Sequence, residues 1–266
     1  MELITIVLSS LFTLIAPVGL VADQVAEGLI RDRIHQAEAL EVRIDNVPNF
    51  QLAGGRVERF RLAGRGVYPV PEFRIDVIDV ETDPIDLDLG ALQSGEVVLD
   101  EPIQSAAHLI LKTDDINALL KSQRVQALLD TLRFSLPGGT EREANRYGLA
   151  NPQVAFLPEN RLRITVDLED RVQSEKVEAR VESGFDVIDG HRLVLLEPMV
   201  MVDGQAVPHQ LVDAFLEGIR SELTLKQLEE VSVIARVLKF ELRPEALDVA
   251  VFVRVDPDSP LLENSD

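Results

Sequence analysis

The sequence predicts an α+β fold in which a long, curved antiparallel sheet packs around a few helices. Apolar and charged residues alternate along many segments, as at residues 162–168, which is typical of strands with one buried face. The pairs Asp189-Gly190 and Asp203-Gly204 separate extended runs and predict tight hairpins. Helical periodicity is confined to a few stretches, such as the one that begins near Thr113.

The length of 266 residues allows one large domain or two small ones with a substantial core. We interpret residues 23–255 as a single α+β domain and residues 256–266, which are acidic and contain proline, as a disordered tail. Residues 40–136 and 152–255 could be pseudo-repeat halves, because Glu101-Pro102 and the helix after it recur in order at Glu197-Pro198. The identities are few, so a chance resemblance stays an alternative.

Residues 3–22 carry no charge and are about as long as a helix that spans a bilayer core. They could form an uncleaved membrane anchor, a cleaved signal peptide, or a buried or membrane-lying segment. Glu2 stands where a signal peptide carries positive charge, and Pro17 would bend or end a helix. We expect residues 1–22 to be an anchor or signal segment that meets the membrane through residues 3–22.

The composition excludes several classes of function. A formal net charge of −20 argues against nucleic acid as a partner, because phosphate binding needs a basic surface. The chain has no cysteine, which removes disulfides, zinc–thiolate sites, iron–sulfur clusters and thiol nucleophiles together.

No motif in the sequence indicates catalysis. Gly64-Arg65-Gly66 lacks the third glycine of a phosphate-binding loop, and the four histidines lack metal-ligand spacing. The acidic residues between 76 and 88 alternate with apolar ones and lack the spacing of a calcium loop, so they indicate the solvated face of strands. We therefore predict no enzymatic activity, no cofactor and no bound metal.

Three arginines, Arg59, Arg61 and Arg65, share one face of a predicted strand. They could pair with acidic residues on a neighbouring strand. They could also contact anionic headgroups at a membrane surface, which is the functional prediction for them.

Several segments together resemble a known family. They are the apolar N-terminal segment with the helix after it, LEVRIDN at residues 40–46, the glycine-containing strand at 54–66, the strand block through Asp88-Leu89, Thr113-Asp114-Asp115-Ile116-Asn117, and residues 191–219 with LVLLEPMVMVDGQAVPHQLVDAFLEGI. With nearly the whole chain covered, the sequence resembles the LmeA family of phospholipid-binding proteins. The resemblance implies a membrane-associated or exported protein on the periplasmic or cell-envelope side. It also implies a sheet around helices, as in tubular lipid-binding domains, and identifies no individual lipid contact.

We therefore expect a non-catalytic protein that binds or shuttles phospholipid, or another acyl-chain ligand, in an apolar cleft. Burial of an acyl chain gains about 0.8 kcal/mol per CH₂ group, so no reactive side chain is needed. The alternative is a membrane-anchored scaffold whose cleft is filled core. The candidate lining residues are helical and apolar: Val25, Leu29, Leu119, Leu120, Phe215 and Ile219.

Overall fold

The computed structural model of the protein describes residues 28, 30–32, 34–45, 55–94, 98–131, 147–170, 176–213 and 223–263. Antiparallel strands dominate this part of the chain, and helices are few. The prediction of antiparallel sheet is confirmed. The prediction of one long sheet wrapped around helices is not, because the strands form two open sheets and a small two-stranded one.

The larger sheet has six strands in the order β1-β3-β4-β6-β13-β12, all antiparallel to their neighbours. Its strands are β1 (Gln36–Asp45), β3 (Arg59–Val70), β4 (Phe73–Thr82), β6 (Ile103–Lys112), β12 (Val233–Arg243) and β13 (Ala246–Val255). The C-terminal hairpin β12–β13 therefore completes a sheet that the N-terminal part of the chain begins.

The second sheet has five strands in the order β11-β10-β9-β8-β7, so every strand pairs with its neighbour in sequence. Its strands are β7 (Tyr147–Leu157), β8 (Arg161–Asp170), β9 (Lys176–Ile188), β10 (Arg192–Val202) and β11 (Gln205–Ala206). A separate short pair joins β2 (Arg56–Val57) to β5 (Ile85–Asp86).

The complete helices lie in the connections between strands, except for the last one, which follows β13. They are α1 (Leu89–Ser94), α2 (Thr113–Leu120), α3 (Gln123–Thr131), a 3₁₀ helix (Leu225–Val231) and α4 (Pro260–Glu263). None of the helices in the described ranges is long and apolar enough to cross a membrane. The apolar segment 3–22 lies outside those ranges, so its role as anchor or signal remains a prediction.

Two predicted turns form as the sequence indicates. Asp189 and Gly190 both have positive φ, as do Asp203 and Gly204, and this backbone matches the twist of two-residue hairpins. The first turn joins β9 to β10, and the second joins β10 to β11. Strand β10 is thus held between two turns whose geometry the local sequence dictates.

The hydrophobic core belongs to the six-stranded sheet. Phe60, Leu62, Ile78 and Val253 are almost completely buried on its inner face, and the 3₁₀ helix contributes Leu228. Leu261 and Leu262 of α4 also pack against this core, and Ser259 is buried. Residues 256–263 are therefore part of the fold, and of the predicted disordered tail only residues 264–266 lie outside the described chain.

The predicted pseudo-repeat has a partial structural counterpart. Helical residues begin at position 209, which corresponds to Thr113 at the start of α2. The preceding Glu-Pro pairs differ, because Pro102 precedes β6 whereas Pro198 lies inside β10. The internal repeat therefore stays a prediction.

Candidate functional site

The five-stranded sheet has one face made almost entirely of aliphatic side chains. The register places Ile164 of β8 beside Val154 and Val181, and Val181 beside Val200 of β10. Because side chains alternate along strands, the residues two positions away share this face. Its half-buried members are Val154, Leu162, Ile164, Val166, Leu168, Val177, Val181, Leu193, Leu195, Val200 and Val202, and we call it the aliphatic face.

The aliphatic face is covered far less completely than the inner face of the six-stranded sheet. Every residue of β8 except Asp170 is only half-buried. The buried core cluster draws its members from residues 30–109 and 228–255 and includes none from β7 to β10. The apolar side chains of the aliphatic face are therefore half-buried and lie outside the core cluster.

The opposite face of the same sheet is polar. Arg163 donates to Glu182 at 2.6 Å, and Asn151 donates to Asp167 at 2.7 Å. Lys176 is paired with Glu169. This alternation makes β8 and β9 amphipathic. Contact with water is therefore less favourable for the aliphatic face than for the polar face.

The apolar sides of the two sheets meet at one aromatic contact. The ring of Phe185 in β9 lies 6.5 Å from the ring of Phe240 in β12, centroid to centroid. Phe185 lies on the aliphatic face, because it pairs with Leu195. The aliphatic face is thus closed at this end by the edge of the six-stranded sheet.

Two asparagines join the sheets, Asn160 beside this contact and Asn117 on α2. Asn160, in the β7–β8 turn, accepts a hydrogen bond from the Leu242 N–H at 2.6 Å and donates to the Phe185 carbonyl at 2.7 Å. Asn117 of α2 donates to the Val154 carbonyl at 2.9 Å and accepts from the Val154 N–H at 2.8 Å. The amides satisfy backbone groups that neighbouring strands leave free.

Helix α2 is itself fixed on the six-stranded sheet. Arg74 donates to Asp115 of α2 at 2.9 Å, to Asp76 at 2.7 Å and to Glu38 at 3.0 Å. The hydrogen bond to Asp76, with those to Glu38 and Asp115, raises the pKa of Arg74. Burial lowers this pKa by less, so it is raised overall. The segment Thr113–Asn117 therefore joins the sheets, since Asp115 contacts the first and Asn117 the second.

The three arginines predicted to contact headgroups are all paired with acidic residues on neighbouring strands. Arg59 lies 3.3 Å from Glu81, Arg61 lies 2.9 Å from Asp45, and Arg65 lies 2.8 Å from Asp79. This is the first of the two arrangements that the sequence allows. These ion pairs do not test whether the arginines contact headgroups, so that contact stays a prediction.

A groove of about 690 Å³ crosses this charged outer face of the six-stranded sheet. Its floor contains Ala63, Ala106 and Ala250, and Leu238 of β12 lies at one end. Beside it, the carboxylate of Asp248 is only 4% exposed and binds Lys239 at 2.7 Å and His108 at 2.9 Å. Burial raises the pKa of Asp248, but the hydrogen bonds from Lys239 and His108 lower it by more.

Of the six predicted lining residues, the structure describes only Leu119 and Leu120. Leu119 packs against the core of the six-stranded sheet, and Leu120 is half-buried on the same helix. Val25, Leu29, Phe215 and Ile219 lie outside the described residues. The aliphatic residues of β8 to β10 were not among the predicted lining, although their alternation with charges is visible in the sequence.

No group of three or more histidine, aspartate or glutamate side chains could hold a metal ion within the ranges that the structure describes. Within the described strands, the aliphatic face has one hydroxyl, that of Ser183, which lies within hydrogen-bond distance of the Gly184 and Leu196 carbonyls, so the face offers mainly contact with apolar groups. An open sheet with a half-buried aliphatic face outside the core is suited to contact with an apolar ligand.

Comparison with known proteins gives the same class. The chain belongs to the LmeA-like phospholipid-binding family, whose sequence model matches residues 15–252. No curated protein and no solved structure matches the chain. The predicted family is therefore confirmed.

Proposed function

We propose that this protein is a membrane-associated, non-catalytic phospholipid carrier that holds acyl chains against the aliphatic face. Membership of a phospholipid-binding family supports a lipid ligand. The observation that carries the assignment to a surface is the half-buried state of the aliphatic residues in β8, β9 and β10.

The energetics favour acyl chains as the ligand. A chain of about sixteen carbons, transferred from water, gains on the order of 10 kcal/mol before ordering costs. The residues opposite one another on this face of β8, β9 and β10 are leucine, isoleucine, valine, alanine and Phe185, together with Ser183, whose hydroxyl already has the Gly184 and Leu196 carbonyls as partners. Such a surface distinguishes lipids by chain length and shape, and headgroup recognition would have to come from its rim.

The contact between Phe185 and Phe240 at one end of the aliphatic face supports one orientation of a bound acyl chain. Phe185 and Phe240 meet there, and Asn160 ties β9 to β12 beside them. An acyl chain with its terminal methyl group near this contact would have its headgroup near the other end of β8, where Asp167 and Glu169 lie on the polar face.

Native mass spectrometry of the purified chain tests this function. We expect bound phospholipid, and uptake of a fluorescent phospholipid by the delipidated protein. Unchanged lipid mass after long incubation would support a carrier, and hydrolysis products would contradict the non-catalytic proposal.

A pair of adjacent substitutions assigns the surface. Ile164→Gln places an amide on the aliphatic face, whereas Thr165→Gln changes the next residue, which points to the polar face. We expect the first to reduce lipid content severalfold and the second to leave it unchanged. Equal lipid content in both variants would exclude this face, and no lipid in the unsubstituted chain would favour a scaffold.

A further inference from the structure

Phe185 and Phe240 lie where the aliphatic face meets the six-stranded sheet. Both side chains are half-buried, and their rings are tilted by 43° with centroids 6.5 Å apart. Along β9, Phe185 follows Ala179, Val181 and Ser183 on the aliphatic face. At this level the profile of the face therefore changes from small side chains to a pair of aromatic rings.

Two hydrogen bonds between the sheets fix this contact on both sides. On one side, the Val237 N–H donates to the Gly190 carbonyl at 2.6 Å. On the other, the Leu242 N–H donates to the Asn160 side chain at 2.6 Å, and the same amide donates to the carbonyl of the phenylalanine in β9. Because Phe240 lies between these two points on β12, its ring is held in place against the end of the aliphatic face.

The aliphatic face extends little beyond this contact. Strands β9 and β10 continue for only a few residues, to the turn at Asp189-Gly190. The part of β8 on this face, from Leu168 to Leu162, spans about 20 Å at about 3.3 Å per residue. One leaflet of a bilayer has a hydrocarbon layer of about 15 Å, half the thickness of the core. The face therefore accommodates an acyl chain of ordinary length and little more.

The surface behind the contact is also apolar. Phe240 pairs with Val249 of β13, and both Val249 and Leu247 are half-buried on the inner side of the six-stranded sheet. In the described part of the chain, neither is a member of the core cluster. The two rings therefore stand between two half-buried apolar surfaces, one on each sheet.

We propose that Phe185 and Phe240 form a stop that limits the length of the acyl chain on the aliphatic face. This inference rests on the proposed function, because it names the lipids that the face selects, which are phospholipids whose chains end at the rings. A longer chain has to leave its additional CH₂ groups in water at the other end of the face. Each CH₂ group left in water lowers the binding of that lipid by up to about fourfold.

A mixture of lipids that differ only in chain length tests the stop. The delipidated full chain is incubated with equal amounts of dimyristoyl, dipalmitoyl, distearoyl and diarachidoyl phosphatidylglycerol in a mild detergent. Native mass spectrometry then gives the share of each species that the protein binds. For the unsubstituted protein we expect this share to fall severalfold from one species to the next beyond a limiting length. Equal shares of all four species would overturn the stop.

Substitution of either ring should extend the limit. We expect Phe240→Ala and Phe185→Ala each to raise the share of the longer species severalfold, because the chain then reaches the apolar surface behind the contact. Phe252→Ala is the matched control, since Phe252 is also half-buried but pairs with Arg236 on the outer side of the same sheet. A role in packing alone would change the amount of bound lipid without changing its chain length.

A smaller substitution keeps the test valid if alanine unfolds the protein. Phe240→Leu retains an apolar side chain, so we expect a folded protein with a smaller shift in the same direction. An unchanged chain-length profile in this variant, or an equal shift in Phe252→Ala, would overturn the stop. Absence of bound lipid from the unsubstituted protein would instead contradict the proposed function itself.

Discussion

Asn117 binds both backbone polar groups of Val154 through its side-chain amide, at 2.9 Å to the carbonyl and 2.8 Å from the N–H. The amide imitates a neighbouring strand at the edge of β7 and joins α2 to the five-stranded sheet. One side chain therefore couples two parts of the fold that share no strand pairing.

We expect Asn117→Ala to lower the free energy of unfolding by about 2–3 kcal/mol, because two part-buried backbone groups lose their partners. Urea denaturation measures the change. Gln126→Ala is the control, since Gln126 makes one bond to the Leu120 carbonyl and its loss should cost about 1 kcal/mol. Equal costs for the two substitutions would show that Asn117 has no special part in joining the sheets.

The close packing of β3 against β4 leads to a second prediction. A Cβ atom on Gly64 would lie 2.6 Å from a methyl group of Val67 and 2.7 Å from one of Ile78. We expect Gly64→Ala to destabilise the protein by about 1–3 kcal/mol through overpacking. Gly28→Ala is the comparison, because in the described part of the chain the added group meets no atom within 4 Å beyond its chain neighbours and its own helix. Thermal unfolding measures the stability of both variants. Equal decreases in their unfolding midpoints would contradict the overpacking argument.

The burial and pairing of Asp248 predict that the protein becomes less stable in acid. Burial raises its pKa, the hydrogen bonds from Lys239 and His108 lower it by more, and the folded pKa lies below the ordinary value of about 4. Its contribution to stability is therefore present above about pH 4 and is lost as the pH falls through the folded pKa.

We expect Asp248→Asn to cost about 1–3 kcal/mol at neutral pH and to flatten the loss of stability in acid. Unfolding free energies measured across the acid range test this. Asp79→Asn is the control, because Asp79 is 40% exposed in its pair with Arg65 and should contribute about 0–1 kcal/mol. A full acid-dependent loss in Asp248→Asn would show that other carboxylates cause it.

The arginines of β3 allow a test of headgroup contact. Replacement of Arg59, Arg61 and Arg65 by glutamine should weaken binding to anionic vesicles by about 1 kcal/mol for each arginine that meets the membrane. Co-sedimentation at low salt measures the affinity. Arg163→Gln, on the five-stranded sheet, is the control. Unchanged binding of the triple variant would limit these arginines to their pairs with Glu81, Asp45 and Asp79.

Local signals in the sequence predicted the strands and turns well. Asp189-Gly190 and Asp203-Gly204 form hairpins because aspartate and glycine tolerate the positive φ that such turns require. The alternation of Leu162, Ile164 and Val166 with charges correctly indicated a strand with one apolar face. These features depend on residues close in sequence, so a single chain contains the information.

Long-range arrangement was predicted less well. The pairing of Ile103 with Val255 closes the six-stranded sheet, yet alternation on β6 and β13 is compatible with many partners. The amide contacts of Asn117 and Asn160 have no periodic signal. Alternation also shows that one face of a strand is apolar without showing how fully it is covered, which is why the half-buried state of the aliphatic face could not be predicted. The predicted lining set, of which Leu119 packs against the core cluster, stays a prediction.

The strand order has a consequence for how the chain folds. Strands β7 to β11 pair only with sequence neighbours. Strand β6 pairs with β4 on one side, but its other side must wait for β13, which is more than a hundred residues away. Local pairings form before distant ones because they close shorter loops. We expect pulsed hydrogen exchange during refolding to protect β8 and β9 before β6, and the opposite order would contradict this. During synthesis the five-stranded sheet can be complete before β12 and β13 have left the ribosome. At that stage the six-stranded sheet still has an unpaired edge at β6.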